Sequence, residues 1–347
     1  MPPEPPRSAL RLEIDSESLA ANWRALDRLS QSATAGAAVK ADAYGLGARR
    51  VVSVLREAGC GDFFIAHWSE YADLAGLVEP GSVSVLHGPM TPEEAAYAAS
   101  VGAKPVINSV RQARLWLAAG GMTCDLMVDT GMNRLGLSMA ELGDEVVQKL
   151  QIDVLMSHLA SAEEDVALNE VQRKRWVEAR TQVQHRRSSL CNSAGIVLGE
   201  AYHGDLTRPG LSLYGGIQRK ELETQIRQVA RPMAAILQVR EIGAGESVGY
   251  NATFVAERPM RVGTAALGYA DGYLRCWSGK GTVLAQGQRL AVLGRVSMDL
   301  IGIDLTHAPD LGEGDWVEAE YSLPEASVVS GLSQYELLTV LGRRFSR

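Results

Sequence analysis

The order of apolar runs along the chain predicts an α/β protein, an N-terminal (β/α)8 barrel of TIM type followed by a smaller, mainly antiparallel β C-terminal domain. Three observations carry this expectation. Before residue 216, eight apolar runs of strand length alternate with longer segments of helical period, the rhythm of parallel strands joined by crossover helices. From about Pro232 the runs become short and β-rich, divided by turn clusters such as Gly243-Ala244-Gly245 and Gly312-Glu313-Gly314-Asp315. Between the two textures lies a polar, charged stretch at 218–231, which sets the expected domains at 1–225 and 226–347. An open doubly wound sheet is the alternative, because periodicity does not show closure.

In chain order, the strand candidates of the first part are residues 37–41, 63–67, 83–87, 105–108, 125–129, 154–158, 189–192 and 211–215. Each is a short apolar run with a polar residue or glycine at or just past its end. Helix-like stretches at 48–58, 92–100, 110–119, 140–150 and 163–186 fill most of the intervals. In the second part the strand candidates are 234–242, 261–267, 282–285, 289–293, 300–304 and 316–319.

The bulk properties narrow the function classes. A chain of 347 residues with 46% hydrophobic and 22% charged content suits an ordinary globular protein of two domains. The formal net charge is −7 and no block of Lys or Arg stands out, so nucleic-acid and membrane-surface binding have no electrostatic support. The proline-rich leader at 1–7 lacks the apolar core of a signal peptide, and no later run is long enough to span a bilayer. Cys60, Cys124, Cys191 and Cys276 are scattered without CxxC spacing and read as small apolar residues in a reducing compartment. A cytoplasmic location is expected, and no metal site.

In such a barrel, functional side chains gather where strands end. The residues at the expected ends are polar: Lys40, His67, His87, Asn108, Asp129 with Arg134 after it, His158, Asn192-Ser193, and Arg208. Lys40 is the most informative of them. It ends an apolar run in Ala37-Ala38-Val39-Lys40-Ala41-Asp42-Ala43-Tyr44-Gly45. Apolar surroundings lower an amine's pKa and make it a better nucleophile, as a Schiff-base lysine requires. On position alone, a strand-end lysine reaching to solvent is the plainer reading.

Lys40 to Tyr44 closely resembles the pyridoxal-phosphate lysine motif of alanine racemases. Further segments are similar to that family in order: Asp129-Thr130-Gly131-Met132-Asn133-Arg134-Leu135-Gly136, Ser157-His158-Leu159-Ala160, Asn192-Ser193-Ala194-Gly195 and Arg208-Pro209-Gly210-Leu211. In the second part Val248-Gly249-Tyr250, Gly268-Tyr269-Ala270-Asp271-Gly272 and Gly294-Arg295-Val296-Ser297-Met298-Asp299 recur as well. One such box is weak, but an ordered series across both domains is strong.

The resemblance implies interconversion of L- and D-alanine with pyridoxal 5'-phosphate, supplying D-alanine for peptidoglycan. By that resemblance Lys40 holds the cofactor and serves as one base, and Tyr250 is the second base on the opposite face of Cα. A phenol has a pKa of about 10, so Tyr250 needs cationic neighbours to act as a base at neutral pH. Tyr44, Asn192, Ser193, Gly210 and Leu211 are implied at the cofactor phosphate, glycine allowing close backbone approach to an anion. Arg208 meets the pyridine nitrogen, with His158 as a partner behind it. Arginine only donates, so the nitrogen stays unprotonated and the ring is a weaker electron sink, which favours reprotonation over transamination. Arg134, Met298, Tyr269 and Asp299 fall at the substrate. The family also implies a homodimer whose partner chain supplies Tyr250.

Two positions depart from the family pattern. Many alanine racemases have a carbamylated lysine two residues before Asp129, where this chain has Met127. Methionine supplies no negative charge, so Arg134 is expected to lean on a bound chloride, Asn133 or Asp129. Near the C-terminus Gly342 falls where some relatives have a phosphate-binding tyrosine. Three other readings stay open: a racemase of wider or serine-type specificity, a non-enzymatic cofactor carrier, and a related amino-acid decarboxylase. The second domain with Tyr250 and Met298 argues against the carrier.

Overall fold

The computed structural model describes residues 8–342 and 344–346, so the leader at 1–7 lies outside it. Two compact units divide the chain: Ser16–Arg227 forms one, and the N-terminal segment up to Asp15 joins Gln228 onward in the other.

In the first unit, strands Ala37–Ala38, Phe63–Ile65, Val83–Val85, Lys104–Ile107, Thr123–Met127, Gln151–Met156 and His185–Ser189 lie side by side in sequence order, all parallel. Leu206–Thr207 is the eighth strand and pairs in parallel with Thr34–Ala35. Gly36 N donates to Thr207 O and Ala38 N to Pro209 O, both at 2.9 Å, which extends that ladder into the first strand. Arg208 N donates to Cys191 O at 3.0 Å and joins the seventh strand's end. The sheet therefore closes on itself as an eight-stranded barrel, and the open-sheet alternative falls.

Several expected elements differ. The run at 211–215 is not a strand but the buried 3-10 turn Leu211–Tyr214, because Pro209 has no N–H to continue a ladder. The helix expected at 140–150 is two 3-10 turns, Met139–Gly143 and Val147–Lys149. They are separated by an Asx-type turn in which Asp144 Oδ1 accepts from Val146 N at 2.8 Å. The helix expected at 163–186 is shorter, Ala167–Gln182, and the strand expected at 189–192 lies earlier, at the polar His185–Ser189, with Asn192 capping the next helix instead.

Ion pairing explains how so polar a strand takes a place in the barrel, its charged half part-exposed and only Ser188 and Ser189 buried. Arg187 forks onto Asp62 at 2.7 and 2.8 Å and reaches Asp153 at 2.9 Å. Lys104 Nζ sits 2.6 Å from Asp153 Oδ2 and 3.7 Å from Asp125 Oδ1. Burial works against the charge of Asp153, but hydrogen bonds from Arg187 and Lys104 hold its carboxyl well below the usual range. The barrel thus contains a partly buried ionic cluster.

The second unit is built around the long strand Ala230–Ile242. It pairs antiparallel with Met260–Ala265 and with Trp316–Ala319. The ring runs on through Ile301–Asp304, Gln288–Leu293 and Thr282–Ala285, and closes where Thr282–Ala285 meets Trp316–Ala319. The result is a small antiparallel barrel. Leu10–Ile14, read from the sequence as part of the first domain, pairs antiparallel along Ala230–Ile242 with Leu12 opposite Pro232. A two-stranded ribbon, Ser247–Val248 with Phe254–Val255, carries Tyr250 in its loop. Among the described residues, no helix is long and apolar enough to cross a membrane.

Candidate active site

Lys40 leaves the first barrel strand at Val39, whose N–H donates to Phe64 O at 2.9 Å. The next four residues form a left-handed turn, with φ of 55°, 55°, 52° and 57° at Ala41, Asp42, Ala43 and Tyr44. For L-residues that hand costs roughly 1–2 kcal/mol each, and such strain collects at functional sites. The turn is closed by Ala43 N to Val39 O and Gly45 N to Ala41 O at 2.9 Å. Asp42 Oδ1 accepts from Ala48 N at 2.7 Å and joins the turn to the helix Ala48–Ala58. Burial lowers the pKa of the Lys40 amine, Arg134 and Arg208 lower it further, and Glu70 opposes them. The lysine has the environment of an activated amine.

The reversed hand sends Tyr44 towards the loop after the eighth strand. A Cβ on Gly210 would come within 2.3 Å of Tyr44 Oη, so any larger residue there must push the tyrosine aside. Tyr44 also packs on Tyr214 at 4.8 Å between ring centroids, and Tyr214 Oη donates to Ala38 O at 2.8 Å. Ser193 Oγ accepts from Gly210 N at 3.0 Å and from Ser212 N at 3.3 Å, leaving its own hydrogen to donate outward. Ser212 Oγ is buried with no partner among the described residues. Asn192 is the N-cap of the short helix Ser193–Ile196, its Oδ1 accepting from Gly195 N at 3.0 Å. These donors and the close backbone approach fit a phosphate group. Leu211 is buried.

Arg208 is buried and points back into the barrel. Its guanidinium donates to Ser189 Oγ, Ser157 O and, at 3.4 Å, Leu190 O. Burial draws its pKa down to about 10, so it stays charged at neutral pH. The partners expected from the sequence differ here: Arg208 is held by Ser189 and the Ser157 carbonyl, not by the His158 ring. His158 stays close electrostatically. Burial, with Arg208, Arg134 and Lys40, pushes its pKa down to about 3, so the imidazole is neutral.

That neutrality has a measurable consequence. The unfolded chain takes up a proton at His158 near pH 6.5, which the folded chain refuses until about pH 3. Its contribution to stability is complete above pH 6.5 and is lost as the pH falls. Between pH 7 and 5 urea midpoints should register a loss of about 1–2 kcal/mol, and His158→Asn should flatten the slope. An equally steep slope in the variant would assign the loss elsewhere.

Met127 closes its strand with an ordinary backbone bond, accepting from Leu137 N at 2.9 Å. Of the supports expected for Arg134, Asp129 is committed otherwise: its Oδ1 accepts from the amides of Gly131, Met132 and Asn133 at 2.8, 2.9 and 3.1 Å. Asn133 takes a left-handed φ of 57° to complete that loop. Arg134 is exposed, and no carboxylate among the described residues pairs with it. His67 and His87 lie edge to face with ring centroids 4.1 Å apart. Asn108 is turned to the backbone, its Nδ2 donating to Leu86 O and Val106 O.

The residues expected in the second unit also gather. Gly294 lies against the Val248 carbonyl, and Gly268 against the Met298 carbonyl. Tyr269 N donates to Ser297 O and Ala270 N to Met298 O, both at 3.0 Å. Asp299 pairs with Arg344 at 2.7 Å, and Arg344 also reaches the buried Asp271 at 2.8 Å. Arg275 lies over the Tyr269 ring at 5.1 Å. Tyr250 and Met298 are open to solvent at 69% and 53% exposure. Gly342 fits under the Ala270 carbonyl, where a Cβ would approach to 2.8 Å.

Sequence reasoning missed Glu70, Ser189, Ser212 and Gln172. Gln172 accepts from Ala160 N at 2.9 Å and donates to His158 O at 3.0 Å, bracing the histidine loop from the helix behind it. The one signal available was for Glu70, three residues past the expected strand end at His67, where a capping glutamate belongs.

The chain matches the alanine racemase N-terminal domain over residues 14–218 and the alanine racemase C-terminal domain over 229–347. It is 40% identical to the alanine racemase of Methylobacterium nodulans, covering 97% of this chain and 95% of that one. The biosynthetic alanine racemase of Agrobacterium fabrum is 37% identical over 98% and 94%. A solved alanine racemase of Bartonella henselae, with covalently bound pyridoxal phosphate, superposes with a TM-score of 0.89 at 34% identity, covering 99% of each chain. The biosynthetic alanine racemase of Pseudomonas aeruginosa gives 0.87 at 34% identity, again over 99% of each. With both domain families matched in order and curated relatives near 40% identity over almost the whole length, the chain belongs to the alanine racemase family.

Proposed function

We propose that this protein interconverts L- and D-alanine with pyridoxal 5'-phosphate held on Lys40, and that it works in the cytoplasm to supply D-alanine for peptidoglycan. The observation that carries the reading is the activated amine of Lys40 beside a cradle built for an anion. Bound there, the cofactor supplies an electron sink for the charge left when the α-proton departs. Tyr44, Ser193, Ser212 and the Gly210-Leu211 backbone hold the phosphate, with Asn192 fixing the turn that presents Ser193. Arg208, kept charged and oriented by Ser189 and Ser157, donates to the pyridine nitrogen. Lys40 moves the proton on one face of Cα and Tyr250 on the other. Arg134 and the Met298 backbone take the substrate carboxylate, while Tyr269 and Asp299 bound the space for a methyl side chain.

The active form in this proposal is a homodimer whose sites are completed by Tyr250 of the partner subunit. The solvent-facing tyrosine and the exposed Val255, Met298 and Leu300 of the same unit support association through that face.

Steady-state rates on both alanine enantiomers, with serine as competitor, test the specificity. Comparable kcat/KM in the two directions with weak serine turnover is expected. Faster turnover of serine would transfer the reading to a serine-type racemase. The phosphate cradle has its own test. Gly210→Ala forces Tyr44 Oη aside and should weaken cofactor retention by roughly tenfold, about 1.4 kcal/mol, read from absorbance after dialysis. Undiminished retention would place the phosphate elsewhere.

A further inference from the structure

We propose that Glu70 is a positioning residue for the proposed nucleophile, its carboxylate tying the backbone amide after Lys40 to the mouth of the neighbouring barrel strand. The inference rests on the reading of Lys40 as the cofactor lysine, and it adds a part that no family motif supplied.

Glu70 ends the 3-10 turn Trp68–Glu70, just past the strand Phe63–Ile65. One oxygen, Oε2, accepts from Ala66 N at 2.7 Å and from His67 N at 3.3 Å. That half is local capping, which a glutamate at this position provides in many turns. The other oxygen, Oε1, crosses to the adjacent strand and accepts from Ala41 N at 2.7 Å. Ala41 opens the left-handed turn, and the bonds closing that turn use the amides of Ala43 and Gly45. The first amide of the turn, next to the nucleophile, is satisfied from outside by Glu70. A charge-assisted bond at this length is among the stronger ones available to a backbone amide.

A carboxylate suits the task and an amide does not. Three N–H groups converge on two oxygens, and a glutamine would have to aim its own NH2 at one of the two sets. Charge gives Glu70 a second effect. Arg134 and Arg208 act on the Lys40 amine from one sign and Glu70 is the anion opposing them, with His87 and His158 within electrostatic reach. Removing the anion therefore lowers the pH at which the amine becomes free.

The test uses the full-length protein stripped of pyridoxal phosphate, as wild type, Glu70→Gln and Glu70→Ala. Glutamine keeps the shape should alanine fail to fold. Amide hydrogen exchange across residues 41–47 should quicken by about tenfold or more, with the other barrel peptides unchanged. The pH midpoint for modification of Lys40 by cyanate, followed by peptide mass spectrometry, should fall. A residue that merely stabilises the fold moves neither in this local way. Unchanged exchange at 41–47, quickening spread over the whole barrel, or an unmoved midpoint would overturn the proposal. Reductive labelling of a lysine other than Lys40 would instead overturn the cofactor assignment, leaving the exchange result to judge Glu70 separately.

Discussion

Replacing Tyr250 by phenylalanine is expected to leave cofactor retention intact and to lower racemisation by about 10²–10⁴-fold, the size of a lost general-base contribution. The hydroxyl is the only group removed and the ring stays, so a packing defect is a poor explanation for any loss. In deuterated buffer the residual α-proton exchange should favour one enantiomer, because Lys40 still serves its own face. Equal turnover in both directions at the wild-type rate would make Tyr250 a bystander.

Lys40→Ala should be the more severe change, since one residue is asked both to anchor the cofactor and to move a proton. A loss of more than about 10⁴-fold is expected, with the yellow colour washed out on dialysis. The two variants together probe the shared site. Mixing Lys40→Ala with Tyr250→Phe protein, after subunit exchange, should restore activity, because each hybrid dimer has one site with both residues and one with neither. No recovery despite demonstrated exchange would mean that one chain supplies both residues, leaving any dimer structural.

Much of this architecture was legible because barrel strands announce themselves. Phe63-Phe64-Ile65 and Val83-Ser84-Val85 are short apolar runs that end where the structure ends them within two residues. The eighth strand was misplaced because Leu206–Thr207 is too short to show a pattern, while the longer apolar run after Gly210 looks like a strand and packs as a buried turn. Leu10–Ile14 was missed for a different reason. Its partner is Ala230–Ile242, more than two hundred residues away, and nothing local marks such a pairing.

At the site, residue types could be read and their geometry could not. Lys40, Tyr44, Ser193 and Arg208 stood out by position and motif. The left-handed turn did not, since Ala41-Asp42-Ala43-Tyr44 has the composition of an ordinary right-handed helix and is reversed by tertiary context. Arg208 had a plausible partner in His158, yet Ser189, an unremarkable strand serine, makes the bond. Asp129 offered a charge near Arg134, but the three amides of its own loop claim one carboxylate oxygen. Such a choice between a distant cation and adjacent amides depends on the loop's path, which composition does not carry.

Borohydride reduction of the purified enzyme, followed by peptide mass spectrometry, tests the central claim most directly, because it asks which amine holds the cofactor without relying on turnover. The account predicts a pyridoxyl adduct on the peptide containing Lys40 and nowhere else. Lys104 is the sharpest control, a buried lysine of the same barrel whose amine is paired with Asp153 at 2.6 Å. An adduct on Lys104, or on any lysine other than Lys40, would contradict the assignment of the site and the mechanism built on it.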